Sequence, residues 1–188
     1  MVYSNGKVAG TLFFVASAQF ILGLIVAEAL YPGYSISTNY ISDLGVGPSS
    51  MVFNTSIFLL GLLSLIGTYF LYRAYNLKVI TILLTITALA AMGVGIFTKN
   101  NGPMHMFVSF FAFLFSGLSA IFSYRLMKHP LSIIVILLGL MSLSALFLFI
   151  GNFYLGLGSG GMERMILYPI LIWMIGFGGF LITVPEKS

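Results

Sequence analysis

The sequence has no cysteine and very few charged residues. The absence of cysteine excludes disulfides, a thiolate nucleophile and cysteine-ligated zinc. Charged residues make up 6% of the 188 residues and hydrophobic residues 60%, whereas a soluble domain has about 25% charged residues. So few charges could not cover the surface of a soluble protein, and lipid must therefore be the solvent for most of the chain.

Several functional signatures are also missing. The chain has no G-x-S-x-G elbow, H-E-x-x-H pair or nucleotide fingerprint. No charged residue lies in the middle of an apolar segment, which argues against a transporter with a midplane carboxylate. The net charge of +4 is spread over segment ends rather than gathered in a patch, so we expect no nucleic-acid partner.

The two histidines, His105 and His129, fall at opposite ends of the predicted segments. A metal site built on histidine is therefore not expected, while a carboxylate-rich one is left open, and we expect no cofactor.

What the chain does contain is six apolar segments long enough to cross about 30 Å of hydrocarbon as helices. Their continuous apolarity favours helices over barrel strands. The predicted fold class is all-α, a single transmembrane domain over residues 1–188 with six helices in a bundle. The predicted spans are 8–31, 51–73, 78–98, 103–127, 131–153 and 162–184.

Basic residues predict the orientation of the bundle, because cytoplasmic loops are enriched in Lys and Arg. Six of the eight basic residues lie at one set of segment ends, namely Lys7, Arg73, Lys78, Arg125, Lys128 and Lys187. Lys99 and Arg164 lie at the other. We therefore expect cytoplasmic N- and C-termini, localisation in the cell membrane, and an outward-facing 1–2 loop.

The 1–2 loop is an island of polar residues between apolar segments. From Ile36, apolar residues recur at i, i+4 and i+8, and from Ser35, polar residues recur at i, i+4, i+7 and i+8. The pattern predicts a short amphipathic helix over Ser35–Gly45, lying in the outer interface or folded over the bundle. Its polar stripe would cover a cavity or face solvent, and the pattern leaves both open.

Two charged residues are predicted at unfavourable helix ends. Glu28 lies near the C-terminus of the first helix, and Arg164 lies near the N-terminus of the sixth. Each faces the like-signed end of a helix dipole, so each needs an opposite charge or a ligand nearby. Lys99, Arg164 and His105 are the candidate partners of Glu28, in a structural ion pair or a functional site.

Three more polar residues are predicted on the same side. His105 follows Pro103 in the first turn of the fourth helix, where neutral imidazole suits a general base. Asn54 lies just inside the second helix and is expected to hydrogen-bond across helices. Glu163 is predicted to open the sixth helix, where a carboxylate complements the dipole.

Together these residues predict an outward-facing polar pocket. Its expected ligand-binding residues are Glu28, Asn39, Ser42, Asp43, Asn54, His105, Glu163 and Arg164. The leading hypothesis is binding of a lipid head group or small polar ligand without catalysis. One alternative is an interfacial lipid hydrolase or transferase, in which Asp43 or Glu28 shares acid–base work with His105.

A third hypothesis is a non-catalytic accessory subunit that packs on a larger membrane complex. Small residues recur along the helices, for example at Ser109, Ala112 and Ser116, and let helix backbones approach closely. Membrane lipids are the expected partners. A homo-oligomer or a complex with another membrane protein is left open.

A series of short motifs carries a family resemblance. They are Tyr31-Pro32-x-Tyr34, Asn39-x-x-Ser42-Asp43-Leu44-Gly45, Phe53-Asn54, His105 and Glu163-Arg164. The chain resembles the domain-of-unknown-function family 998 (DUF998), small prokaryotic and often archaeal membrane proteins that are distantly similar to the Frag1/DRAM/Sfk1 group. The resemblance extends over nearly the whole chain. It implies a six-span bundle and no established activity.

Overall fold

The computed structural model describes residues 4–184, so Lys187 lies outside the described residues. Within them the chain forms six long α-helices and no strand. The helices are α1 Asn5–Leu30, α2 Ser50–Tyr75, α3 Lys78–Ile96, α4 Pro103–Phe122, α5 Leu131–Ile150 and α6 Gly158–Thr183. The predicted all-α fold of six spanning helices is confirmed.

Each helix is long and apolar enough to cross a membrane. The shortest, α3, has 19 residues, which at about 1.5 Å per residue is close to the thickness of the hydrocarbon layer. The protein is therefore a multi-pass membrane protein.

The helix ends follow local sequence. The Ser4 side chain caps α1 by accepting a hydrogen bond from the Lys7 N–H at 3.4 Å. Pro103 begins α4, as predicted, directly after Gly102 with φ 51°. Asn76 ends α2 in the left-handed region with φ 51°.

The start of α6 differs from the prediction. The helix begins at Gly158 rather than at residue 162, and its first turn contains no acidic residue. Glu163 therefore lies in the second turn and does not open the helix. The physical reason is a backbone cap: the Gly160 N–H donates to the Ser37 carbonyl at 2.9 Å, so the glycine-rich segment is helical rather than a loop.

The helices form a ring in chain order. Each helix packs against the next, α6 returns to α1, and α4 also contacts α6 across the ring. At the α1–α6 contact, a Cβ added to Gly10 would lie 2.6 Å from the Gly178 carbonyl oxygen, and the reverse holds for Gly178. Both positions must therefore be glycine for the helices to approach this closely.

The connection between α1 and α2, residues 31–49, folds back over one end of the ring. We call it the strap, and the end of the bundle that it covers the strap end. Ile41 and Leu44 of the strap are 3% and 0% exposed, which anchors it in the hydrophobic core next to Phe53.

The amphipathic helix predicted for Ser35–Gly45 forms only in its second half, as a 3-10 helix over Ile41–Gly45. The carbonyls of residues 36–38 accept hydrogen bonds from α6 instead. These bonds to α6 take the place of a local helical ladder, and the first half of the stretch remains a series of turns.

Candidate functional site

Arg164 lies at the centre of the strap end, and its side chain is only 4% exposed. Its Nη2 donates to Glu28 Oε1 at 2.6 Å and to the Tyr34 hydroxyl oxygen at 2.7 Å. Its Nη1 donates to the carbonyls of Ile36 and Gly160, both at 3.0 Å. One guanidinium thus joins α1, the strap and α6.

Glu28, Tyr34 and Arg164 form a unit that we call the clamp. The Glu28 side chain is 21% exposed, so this ion pair is largely shielded from water. The two residues that the dipole argument singled out as needing partners are each other's partner, and Arg164 offsets the unfavourable position of Glu28 in the last turn of α1.

Tyr34 completes the clamp. Its hydroxyl donates to the Tyr40 carbonyl at 3.0 Å while it accepts from Arg164, and its ring lies 5.4 Å from the guanidinium carbon. Burial raises the pKa of Tyr34 to about 12, against the opposing effect of Arg164. The phenol therefore stays protonated and keeps both hydrogen bonds. Sequence reasoning gave Tyr34 no individual role, although the Tyr-Pro-x-Tyr motif contained it.

A second ion pair joins Asp43 of the strap to Lys99 of the 3–4 connection. Asp43 Oδ2 also accepts from the Tyr40 N–H at 2.9 Å and from Asn39 Nδ2 at 3.4 Å, which fixes the start of the 3-10 helix. The Lys99 side chain is 41% exposed. Because solvent screens such a pair, we expect it to contribute at most about 1 kcal/mol.

Glu163 differs from the other two acids at this end. It is 6% exposed, and its one hydrogen bond within residues 4–184 is from the Ile41 N–H to Oε2 at 2.5 Å. No cation in this part of the chain forms an ion pair with it. Burying an unpaired carboxylate is costly, so this position needs a compensating proton or ligand.

Glu163 lines a cavity of about 70 Å³ that lies beneath the strap. The wall is mostly apolar and comes chiefly from α2, α3, α4 and α6. Its hydroxyl-bearing residues are Ser42, Ser64, Thr87, Ser109 and Ser116. Ser64 Oγ is buried and has no hydrogen-bond partner among the described residues. The serine stripe of α4, interpreted from the sequence as packing, thus also lines an internal space.

Asn54 serves the strap rather than a neighbouring helix. Its Nδ2 donates to the Gly45 carbonyl at 3.0 Å and so fastens the end of the 3-10 helix to α2. Its Oδ1 is buried and has no hydrogen-bond partner in residues 4–184. The predicted hydrogen bond across helices is therefore replaced by one to the strap backbone.

His105 ties α4 to the end of α3. Its Nδ1 lies 2.8 Å from the Phe97 carbonyl oxygen and its Nε2 lies 3.3 Å from Ser109 Oγ. In residues 4–184 no carboxylate hydrogen-bonds to this ring, and no three acidic or histidine side chains group as a metal site. The structure thus joins Glu28 to Arg164 and Asn39 to Asp43 but leaves His105 in separate contacts.

Comparison with protein families gives one finding. The model described as "Protein of unknown function (DUF998)" matches residues 14–179. The chain belongs to the DUF998 family. The matched range includes the clamp, the strap and the cavity wall. It also includes the connections between helices at both ends of the bundle. Comparisons with curated proteins and with solved structures give no match.

Proposed function

We propose that this DUF998 protein binds a small amphiphilic ligand at the strap end without transforming it. The observation that carries the proposal is Glu163, a buried carboxylate without an ion pair that lines an internal cavity. Buried charges in proteins are normally paired, and exceptions are concentrated at functional positions.

The surrounding contacts support a site that is already assembled. Arg164 holds the strap through the Tyr34 hydroxyl and the Ile36 carbonyl, and Lys99 holds it through Asp43. The strap therefore closes the cavity through its own contacts, without needing a ligand to order it. A preformed, largely apolar cavity with few polar groups is the usual form of a small-molecule site.

Binding is favoured over catalysis by the neighbours of Glu163. The hypothesis of shared acid–base work requires a carboxylate and the His105 imidazole that can both reach one substrate. The carboxylate contacts a backbone N–H, and the imidazole of His105 is engaged by Phe97 and Ser109. In this proposal Glu163 recognises the ligand, and His105 has no acid–base role.

By the distribution of basic residues, the site faces the outside of the cell membrane, so its ligand comes from the outer leaflet or the external medium. This orientation is part of the proposal. Membrane lipids and their breakdown products are the natural source of small amphiphiles there.

Native mass spectrometry of the gently solubilised protein tests the proposal. Ala91, 7% exposed, lines the cavity, whereas its neighbour Ala90, 8% exposed, does not, so Ala91→Leu fills the cavity and Ala90→Leu is the matched control. We expect a small amphiphile on the wild type and on Ala90→Leu, and much less on Ala91→Leu.

A wild-type protein that carries no such molecule would contradict the proposal. Co-purification with a stoichiometric membrane partner and an empty cavity would instead favour the accessory-subunit hypothesis.

A further inference from the structure

At the strap end, acidic side chains outnumber basic ones. The acids are Glu28, Asp43 and Glu163, and the bases are Lys99 and Arg164. Arg164 pairs with Glu28 and Lys99 pairs with Asp43. Glu163, the most deeply buried of the three acids, is therefore the one that forms no ion pair within residues 4–184.

The carboxylate of Glu163 lies at the wall of the cavity. Oε2 is held against the strap by the Ile41 N–H, while the side chain forms part of the cavity wall. Deeper in the same cavity, Ser64 is 5% exposed and its Oγ has no partner. Within residues 4–184, Glu163, which forms no ion pair, and Ser64, whose Oγ has no hydrogen-bond partner, thus line one cavity whose wall is mostly apolar.

We infer that the ligand of this cavity is a small amphiphile with a cationic ammonium end, bound at Glu163, and a short hydrocarbon part among the apolar wall residues. The inference rests on the proposed function and adds the ligand's chemical class. An ammonium group supplies the missing countercharge and donates up to three hydrogen bonds.

The same charges disfavour an anionic head group. A phosphate near Glu163 would meet a carboxylate that has no ion pair among the described residues, while both cations at this end are already paired with other carboxylates. Because like charges repel strongly where water is excluded, a phosphate end is expected to bind far more weakly than an ammonium end. A hydroxyl would satisfy the hydrogen bond but not the charge.

The cavity size limits the hydrocarbon part. At about 70 Å³ it is smaller than the roughly 150 Å³ engineered cavity that binds benzene. We therefore expect room for only a few carbon atoms beside the ammonium group, rather than for a whole acyl chain. Butylamine and butanol are size-matched probes that differ only in the polar end, and butyl phosphate is a larger probe with an anionic end.

The experiment is isothermal titration calorimetry of the full chain in nanodiscs at neutral pH with each of the three probes. We expect butylamine to bind at least about 10-fold more tightly than the other two, an ion-pair advantage of one order of magnitude. Glu163→Gln, which keeps an acceptor for the Ile41 N–H, should lose this preference.

A second pair of variants, Ala91→Leu and Ala90→Leu, tests the inference even if Glu163→Gln fails to fold. Ala91→Leu should lose butylamine binding by at least about 10-fold, because overfilling a packed cavity is costly, while Ala90→Leu should bind as the wild type does.

Two results overturn the inference while leaving the proposed function intact. One is equal or tighter binding of butanol or butyl phosphate, and the other is butylamine binding that Glu163→Gln leaves unchanged. If none of the probes binds and native mass spectrometry also finds no amphiphile, the proposed function fails as well.

Discussion

At the scale of single residues, Arg164 holds the strap end together. It donates to a carboxylate, a phenol and three carbonyls from three segments of the chain, and its side chain is only 4% exposed. A substitution leaves all of these acceptors without their donor, and Glu28 becomes a largely buried charge without a partner.

We predict that Arg164→Met lowers the free energy of unfolding by about 3–5 kcal/mol, the usual cost of removing one partner of a buried pair. Lys99→Met is the matched control at the exposed pair, and it should cost at most about 1 kcal/mol. Chemical denaturation in detergent micelles measures both. Equal losses for the two variants would show that the clamp is no more important than the surface pair.

Tyr34 gives a prediction of pH dependence. Its pKa is raised from 10.0 to about 12, so between these values the phenol ionises in the unfolded chain but not in the folded one. The contribution of Tyr34 is therefore complete below pH 10 and is lost as the pH rises towards 12. In an ultraviolet titration, the wild-type minus Tyr34→Phe difference should show a tyrosine that ionises near pH 12. A difference spectrum with its midpoint near pH 10 would contradict the buried clamp.

The sequence identified Glu28 and Arg164 as residues that need partners because the dipole argument depends only on position along a helix. It left Lys99 and His105 open as partners, since the choice depends on which helices are neighbours. Glu163 was interpreted as a favourable first-turn acid, and the earlier start of α6 removes that explanation. Its burial beside a cavity depends on tertiary packing that no local pattern contains.

At the scale of secondary-structure elements, the strap depends on glycines at the start of α6. A Cβ added to Gly160 would overlap the Asn39 carbonyl oxygen and lie 2.7 Å from the Ile36 carbonyl oxygen. Backbone atoms cannot move aside as a flexible side chain can. A side chain at this position must therefore push the strap away from α6.

We predict that Gly160→Ala destabilises the protein by about 2 kcal/mol or more, through overpacking against backbone. Gly176→Ala in the same helix is the control: a Cβ there meets nothing within 4 Å, and alanine favours helix. Limited proteolysis within residues 31–49, together with thermal unfolding, should show a loosened strap for Gly160→Ala alone. Equal protease resistance in the two variants would contradict this role of the strap.

The six helices were predictable because their apolar runs are long and their ends carry local signals such as Pro103. The strap was predicted less well. Its periodicity indicated one amphipathic helix, but the carbonyls of residues 36–38 bond to α6, and this competition is invisible in a local pattern.

At the scale of the whole molecule, the ring of six helices brings the two ends of the chain together. α6 packs against α1, and Arg164 reaches Glu28 across that contact. The cavity is the space between α2, α3, α4 and α6. Its existence follows from the ring arrangement, which the sequence did not specify.

We predict that the strap end faces outward. The chain has no native cysteine, so single substitutions report topology without background. In intact cells, a membrane-impermeant maleimide should label Thr38→Cys in the strap but not His129→Cys at the opposite end, both of which are exposed positions. The reverse labelling pattern would invert the proposed orientation.

We propose different roles for two acids of the strap end: Glu28 stabilises the fold, and Glu163 binds a ligand. Thermal unfolding of Glu28→Gln and Glu163→Gln, each with and without butylamine, tests this division most directly. We expect Glu28→Gln to lose about 2–4 kcal/mol of stability by leaving Arg164 unpaired, yet to keep the stabilisation by butylamine. Glu163→Gln should be as stable as the wild type or more stable, because a costly buried charge is removed, and it should no longer respond to butylamine. The opposite result, an unstable Glu163→Gln together with a Glu28→Gln that has lost its response to butylamine, would contradict the account.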